Sequence, residues 1–406
     1  MQHTVFINGR FLTQRITGVQ RYALEALLAL DRRLATGAEG NDLRCEVLAP
    51  PGTTSPLLSA IEFREVGHLR GNAWEQLSLP RATRGQLLFS FSATGPLLKR
   101  RQILTVHDAA VYAVPQAFSF RFRSWYKLLL GRLSSRVPLV LTVSDFSKGE
   151  VSKHFGFDAD KIRVTTEGFQ HILRQTPDTR VLDKHRLRRK RFVLAVSSHT
   201  PNKNFGLIVE AVKRLSQLRD PDFEVVVAGG FDPRVFGATA LPSLPFVRCL
   251  GYVTDAELRA LYENAALFVY PSLYEGFGIP AIEAMACGCP VIASNAASVP
   301  EVCGDAAVYV SPHDADALAR AIARLMTDEP ERERLSRAGL SWVQRYTWDE
   351  SARLNAAHIR ECIAALSGRT IPASEPIDRL PPAPRVPSGL DVSSHVARES
   401  ISSPRA

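Results

Sequence analysis

The sequence predicts an α/β protein of two Rossmann-like domains facing across a cleft. Three observations carry that expectation. The chain has 406 residues, more than one ordinary hydrophobic core accommodates. Short apolar runs rich in Val, Leu and Ile alternate with segments of helical period, the pattern of parallel βαβ units. That pattern stops in a polar, then strongly basic stretch and starts again at Phe192-Val193-Leu194-Ala195-Val196.

Composition narrows the class. Apolar content of 45% and charged content of 22% are those of a soluble globular protein, and no apolar run approaches the roughly 18 residues of a spanning helix. Met1-Gln2-His3-Thr4-Val5-Phe6-Ile7 lacks the basic and then apolar regions of a signal peptide, so a cytoplasmic location is expected. Cys45, Cys249, Cys287, Cys289, Cys303 and Cys362 stand among apolar neighbours and read as reduced core thiols. A formal net charge of +9 suits nucleic acid, an anionic membrane or an anionic substrate. No nucleic-acid module is recognisable, so nucleic acid is not an expected partner.

The first domain is expected over residues 1–172. Val5-Phe6-Ile7 reads as its first strand, and Thr17-Gly18 leads into a helix with Val19, Tyr22, Ala23, Ala26, Leu27 and Leu30 on one face. Strand signals follow at 45–49, 86–90 and 102–106, the last ending in His107-Asp108. In open parallel sheets ligands collect beyond the carboxyl ends of strands, so His107 is either a working group or a structural donor. From Phe118 to Arg136, Phe122, Trp125, Tyr126, Leu129, Leu130 and Leu133 recur at helical spacing among Arg121, Arg123, Lys127, Arg132 and Arg136. With Lys99-Arg100-Arg101 this face could rest on an anionic leaflet, where each basic residue is worth roughly 1 kcal/mol; the alternative is a helix packed on its own sheet. Val137 to Val143 is a further strand, Ser144 caps the helix after it, and Ile162-Arg163-Val164 closes the domain. Residues 173–191, ending in the basic run His185 to Arg191, read as a linker.

The second domain is expected over 192–345. Its first strand runs into Ser197 to Asn204, a strand-to-helix turn from which Lys203 can reach a diphosphate. Val225 to Gly230 and Val247 to Val253 are strands with loops, and Thr254-Asp255-Ala256-Glu257 has capping-box form. Ala266 to Tyr270 is a buried-strand pattern that turns through Gly276 and Gly278 into a helix opened by Pro280. Free N–H groups and the positive end of the helix dipole there suit a phosphate. Glu275 precedes the glycines. Glu283 sits one turn into the helix among Ile282, Ala284 and Met285, where a charged carboxylate needs a donor. Read alone, the stretch is either an anion site or a Gly-rich turn with an incidental cap and a core Glu. Trp348 to Leu366 reads as the last helix, within 346–367, and residues 368–406 are Pro-, Ser- and Arg-rich without periodicity, an expected disordered tail.

Tyr274-Glu275-Gly276-Phe277-Gly278 through Glu283, then Ala286-Cys287-Gly288-Cys289-Pro290, closely resembles the Glu-x7-Glu signature of the retaining glycosyltransferases of family 4. The resemblance extends from the N-terminus to about residue 366. It implies the GT-B fold, with the last helix crossing back to the first domain. It also implies catalytic roles for His107 and Glu275, and donor binding by Gly18, Lys203, Gly229, Val253, Gly276, Phe277, Gly278, Ile279 and Glu283. In that assignment Glu275 holds the donor sugar, Glu283 the ribose hydroxyls, and His107 the sugar face near the reacting carbon. No metal and no cofactor are implied. The nucleotide-sugar is a co-substrate, with GDP-mannose the favoured donor, and the acceptor is a saccharide or lipid-linked saccharide of bacterial surface polysaccharide assembly. Location at the inner face of the membrane is compatible with this.

Three positions depart from the family pattern: Gln20 replaces a second glycine, Ser198 an arginine, and Thr166-Glu167-Gly168-Phe169 an Asn-Gly pair. Rival readings are weaker. Gly276-x-Gly278-x-x-Ala281 matches a dinucleotide fingerprint, but the strand at 291–293 ends in Ser294-Asn295 rather than an acidic residue. Asp158-Ala159-Asp160 and Asp314-Ala315-Asp316 have the Asp-x-Asp form of metal-dependent transferases, yet both lie at turns. A glycoside hydrolase using Glu275 and Glu283 would leave the anion-binding turn without a purpose. A non-catalytic sugar-nucleotide or glycan-binding protein stays open as the alternative to an enzyme.

Overall fold

The computed structural model describes residues 2–196, 200–218, 222–229 and 246–368. Those residues form two parallel sheets. The first contains β1 (His3–Asn8), β2 (Leu43–Ala49), β3 (Glu62–Glu65), β4 (Leu87–Ser90), β5 (Gln102–Thr105), β6 (Leu139–Thr142) and β7 (Ile162–Val164), in the order β3-β2-β1-β4-β5-β6-β7. The second contains β8 (Phe192–Val196), β9 (Glu224–Ala228), β10 (Val247–Gly251), β11 (Leu267–Tyr270), β12 (Val291–Ser294) and β13 (Ala307–Val310), in the order β10-β9-β8-β11-β12-β13. The central strands β4, β5, β6, β11 and β12 are buried at every position. Covering both faces of a parallel sheet removes the in-out alternation, which is why these strands appear in the sequence as plain apolar runs.

Both sheets reverse direction once, between β1 and β4 in the first and between β8 and β11 in the second. At such a reversal the helices on either side run to opposite faces and leave a crevice at the carboxyl ends of the strands. The helices Phe205–Leu218 and Ala315–Thr327 cover one face of the second sheet, packing Leu207, Ile208, Leu318 and Ile322 on Val225, Val269 and Ile292.

The last helix, Trp348–Leu366, returns to the first lobe as the resemblance implied, and lies along the helix Gly18–Ala35. Tyr22, Ala26 and Leu27 share one core with Ala352, Ala356 and Ile359, and Arg360 ties the helix to Glu39 and Asp42 at 2.8 Å each. Residues 173–191 are less solvated than a linker of that composition suggests. They carry a short helix, Arg180–Lys184, with Val181, Leu182 and Leu187 buried, and Asp178 N–H donates to the Ala256 carbonyl across to the second lobe.

Lys99 is not part of an exposed basic face, contrary to the sequence expectation. Its ammonium is buried and donates to the carbonyls of Thr83 and Gln86, so burial draws its pKa down to about 8. The thiols also differ from expectation: Cys249 is exposed and Cys287 half-buried, while the other four are core groups, and all six are free. Ser198, Gly230 and the tail from residue 369 lie outside the described residues. Among the described residues no helix is long and apolar enough to cross a membrane.

Candidate active site

The site lies where the second sheet reverses. β8 delivers the turn Pro201–Lys203 and β11 delivers the bend from Pro271 to Gly278, so Lys203 and Glu275 come from the two strands that flank the crevice. Their side chains meet there. Lys203 Nζ is 2.8 Å from Glu275 Oε1 and 3.3 Å from the Tyr270 hydroxyl, and the two charged groups are only 19% and 13% exposed. Burial and the nearby Glu275 charge raise the Tyr270 phenol well above its ordinary value, so Tyr270 is a neutral neighbour to the pair. Asn204, held in the left-handed region at φ 53°, fastens this turn by donating to the carbonyls of Pro271 and Pro312.

The bend itself is tethered by its carbonyl oxygens. Ser298 donates to the carbonyls of Glu275 and Phe277, and Ser144 and Ser147 of the first lobe donate to that of Gly276 at 2.6 and 3.0 Å. Among the described residues no hydrogen-bond acceptor meets the N–H groups of Gly276, Phe277 or Gly278. Gly278 has φ 120°, a region few side chains tolerate, and the helix Ile279–Ala286 begins immediately after it with Pro280 in its first turn. Carbonyls bound and amides free is the polarity an anion needs.

The first lobe brings His107 to the same place. A β-carbon at Gly276 would collide with the His107 carbonyl oxygen, so only glycine allows this approach. The His107 ring is buried edge-on to Tyr22, with Nε2 3.2 Å from the Phe91 carbonyl and Nδ1 3.3 Å from Glu167 Oε1. Burial pushes the Glu167 carboxyl up, and its bond with His107 offsets part of the rise. Asp108, beside them, is pushed up by burial while accepting the Ala110 N–H at 2.8 Å, and it lies in the field of both Glu275 and Lys203. His107, Lys203, Glu275 and the Gly276 bend are therefore one cluster.

The other candidate residues lie around it. Glu283 is buried one turn into its helix, with His171 Nε2 at 2.7 Å and the Tyr262 hydroxyl at 3.1 Å. Burial alone would push this carboxyl up; the His171 bond, with Arg21 and Tyr262, holds it below the usual carboxylate range. Gly18 opens its helix where an added β-carbon would meet no protein atom, so the chain's own packing does not call for glycine there. One turn later Arg21 pairs with Asp255 at 2.6 Å, and Arg15 lies over the Tyr252 ring, which brings the Gly18 end of the first lobe to the loop of Val253. Gly229, at the end of β9, donates its N–H to the Gly251 carbonyl of the same loop.

Glu167, His171, Tyr262, Tyr270, Ser144 and Ser147 were not foreseen as site groups. The one sequence signal for any of them is Glu167 standing where the family has Asn-Gly. The Asp-x-Asp triplets serve as caps: Asp158 accepts from the Asp160 N–H, Asp314 from the Ala317 N–H, and Asp316 pairs with Arg214.

Comparison with known proteins agrees with this fold. Residues 16–173 match the family described as Glycosyltransferase Family 4, and residues 179–342 match Glycosyl transferases group 1. The chain is 35% identical over 258 residues to the O-antigen chain mannosyltransferase B of Escherichia coli, covering 61% of this chain and 67% of that one. It is 32% identical over 264 residues to the O-antigen chain mannosyltransferase RfbU of Salmonella typhimurium, covering 64% and 69%. Sucrose-phosphate synthase from Thermosynechococcus elongatus has the same fold, with a TM-score of 0.69 at 20% identity over 90% of this chain and all of that one. With both lobes matched and two relatives covered over two thirds of their length, the chain belongs to the family 4 glycosyltransferases and has the GT-B fold.

Proposed function

We propose that the chain is a retaining, metal-independent transferase that moves mannose from GDP-mannose to a glycan or lipid-linked saccharide during surface polysaccharide assembly. The observation that carries the reading is the meeting of Lys203, Glu275 and the free amides of the Gly276–Gly278 bend at the crevice of the second sheet, opposite His107. The difficult part of the reaction is the departure of an anionic nucleoside diphosphate while positive charge develops at the anomeric carbon. Fixed dipoles and cations aimed at that charge supply most of the rate enhancement in many enzymes. Here Lys203 and the amides after Glu275 receive the diphosphate. The bond from the sugar carbon to the diphosphate oxygen breaks as the acceptor hydroxyl oxygen bonds to the same face, and its proton passes to the departing diphosphate.

In this reading Glu275 holds the sugar hydroxyls, Glu283 the ribose, and the His107 carbonyl and ring face the reacting centre. The mannose assignment is supported by the two O-antigen mannosyltransferase relatives. The reading extends to an anionic membrane surface near the acceptor. Leu98, Phe120 and Phe122 are exposed at 79%, 74% and 44%, and Arg100, Arg101 and Arg121 are exposed as well.

A thermal-shift panel of GDP, UDP and ADP, each with EDTA present, tests the donor assignment. GDP alone giving a clear rise in melting temperature is the expected outcome. A rise with UDP or ADP and none with GDP would replace the base assignment, and no response to any of the three would overturn nucleotide binding.

A further inference from the structure

Glu283 is held by two donors that come from distant parts of the chain, His171 on Oε1 and Tyr262 on Oε2. The state of the histidine is set by a third residue. The indole N–H of Trp348, at the start of the crossing helix, points at His171 Nδ1 from 3.1 Å. An indole nitrogen can only donate, so Nδ1 accepts and the ring carries its proton on Nε2, facing Glu283. Trp348 is itself fixed. Its backbone N–H donates to Gln170 Oε1 at 3.0 Å, and a side chain at Gly168 would collide with its backbone nitrogen. His171, Tyr262 and Trp348 are all buried, so this chain of hydrogen bonds has no competing water.

Each Glu283 oxygen thus accepts one hydrogen bond and keeps further lone-pair capacity. A carboxylate pinned at both oxygens presents two acceptors side by side, the complement of a vicinal diol. We propose that His171, in the tautomer imposed by Trp348, is the positioning residue that together with Tyr262 turns the Glu283 carboxylate toward the two ribose hydroxyls of the donor. The inference rests on the reading of Glu283 as the ribose contact. It makes recognition of the nucleotide depend on the helix that ties the two lobes together: displacing Trp348 would free the His171 ring and with it the orientation of Glu283.

The test is calorimetric binding of GDP and UDP, each beside its 2′-deoxy counterpart, to the wild type and to His171→Asn and Tyr262→Phe. The shorter asparagine amide can still accept from Trp348 but cannot reach Glu283, and Tyr262→Phe keeps the ring and removes only the hydroxyl. Each variant should bind the ribonucleotide roughly tenfold more weakly, the scale of one hydrogen bond to a charged group, while the 2′-deoxynucleotide, which keeps only the 3′-hydroxyl contact, weakens less, so that the preference for ribose narrows. His171→Gln, which can return an N–H to the Nε2 position, should recover part of the preference for ribose. Equal weakening of ribo- and deoxynucleotide in the variants, or an unchanged ratio, would overturn the inference alone. A wild type that does not distinguish ribose from deoxyribose, or that binds neither nucleotide, would remove the Glu283 assignment and the inference with it.

Discussion

The Ser144 hydroxyl donates to the Gly276 carbonyl across the cleft at 2.6 Å, which ties the helix Asp145–Phe155 of the first lobe to the anion-binding bend of the second. Glu301 adds to the same contact by accepting the N–H groups of Asp145 and Phe146, the first residues of that helix, at 2.8 and 3.0 Å. Both lobes are closed on Gly276, and the closure leaves no room for a methyl group. Gly276→Ala should therefore push the lobes apart without disturbing either sheet. Overpacking of this kind costs about 1–3 kcal/mol, so transfer is expected to fall by roughly fivefold to 150-fold with each lobe still folded. Steady-state rates and small-angle scattering, showing a slower and more open variant, would check it.

Glu167 provides a pH prediction with a definite sign. Burial raises its folded carboxyl above the ordinary glutamate value, so between the two values the native state holds a proton that the unfolded chain has lost. Its contribution to stability therefore falls as pH rises through that window. Glu167→Gln lacks the titration and should gain stability relative to the wild type as pH rises, read from urea midpoints across the pH range. The same variant should lower the rate more than donor affinity, because a neutral amide can hold the His107 ring in place but cannot supply the carboxylate that faces its Nδ1.

Phe120 and Phe122 with Arg121 between them in sequence, and Leu98 with Arg100 and Arg101, are exposed, and these segments should bind vesicles containing anionic lipid. Arg100→Glu with Arg121→Glu is expected to lose that binding, since two basic contacts of roughly 1 kcal/mol each are replaced by repulsion. Lys99 should make no difference of this kind because its charge is already spent on two buried carbonyls. Sedimentation with neutral and anionic vesicles reads both outcomes, and equal binding to the two vesicle types would remove the membrane from the account.

Much of the frame was legible because it is written in local periodicity. The strand Ile162–Val164, the capping box of Thr254 and Glu257 and the helix Trp348–Leu366 all depend on neighbours a few residues apart. The bend at Gly276 and Gly278 was legible for a related reason, since glycine spacing and Pro280 mark a strand-to-helix turn. The partners of the site were not. His171 reaches Glu283 across 112 positions and Ser144 reaches Gly276 across 132, contacts that only the packing of the two lobes creates. Glu167 stood out only by its departure from the family's Asn-Gly pair, because a buried carboxylate leaves no further local signature. Lys99 misled for the converse reason: a cation beside two arginines reads as surface, and nothing nearby in sequence announces the carbonyls that bury it.

In the proposed mechanism Lys203 and the amides of the Gly276 bend take up the charge of the leaving diphosphate with no metal ion. The decisive comparison is the initial rate of mannose transfer from GDP-mannose, in EDTA, for the wild type and Lys203→Ala. Losing one such electrostatic group costs a factor on the order of hundreds, so the wild type should run at full rate and the variant about that much slower, both folded. A wild type silenced by EDTA and restored by a divalent ion, or a Lys203→Ala enzyme of near-normal rate, would show that the charge is neutralised some other way.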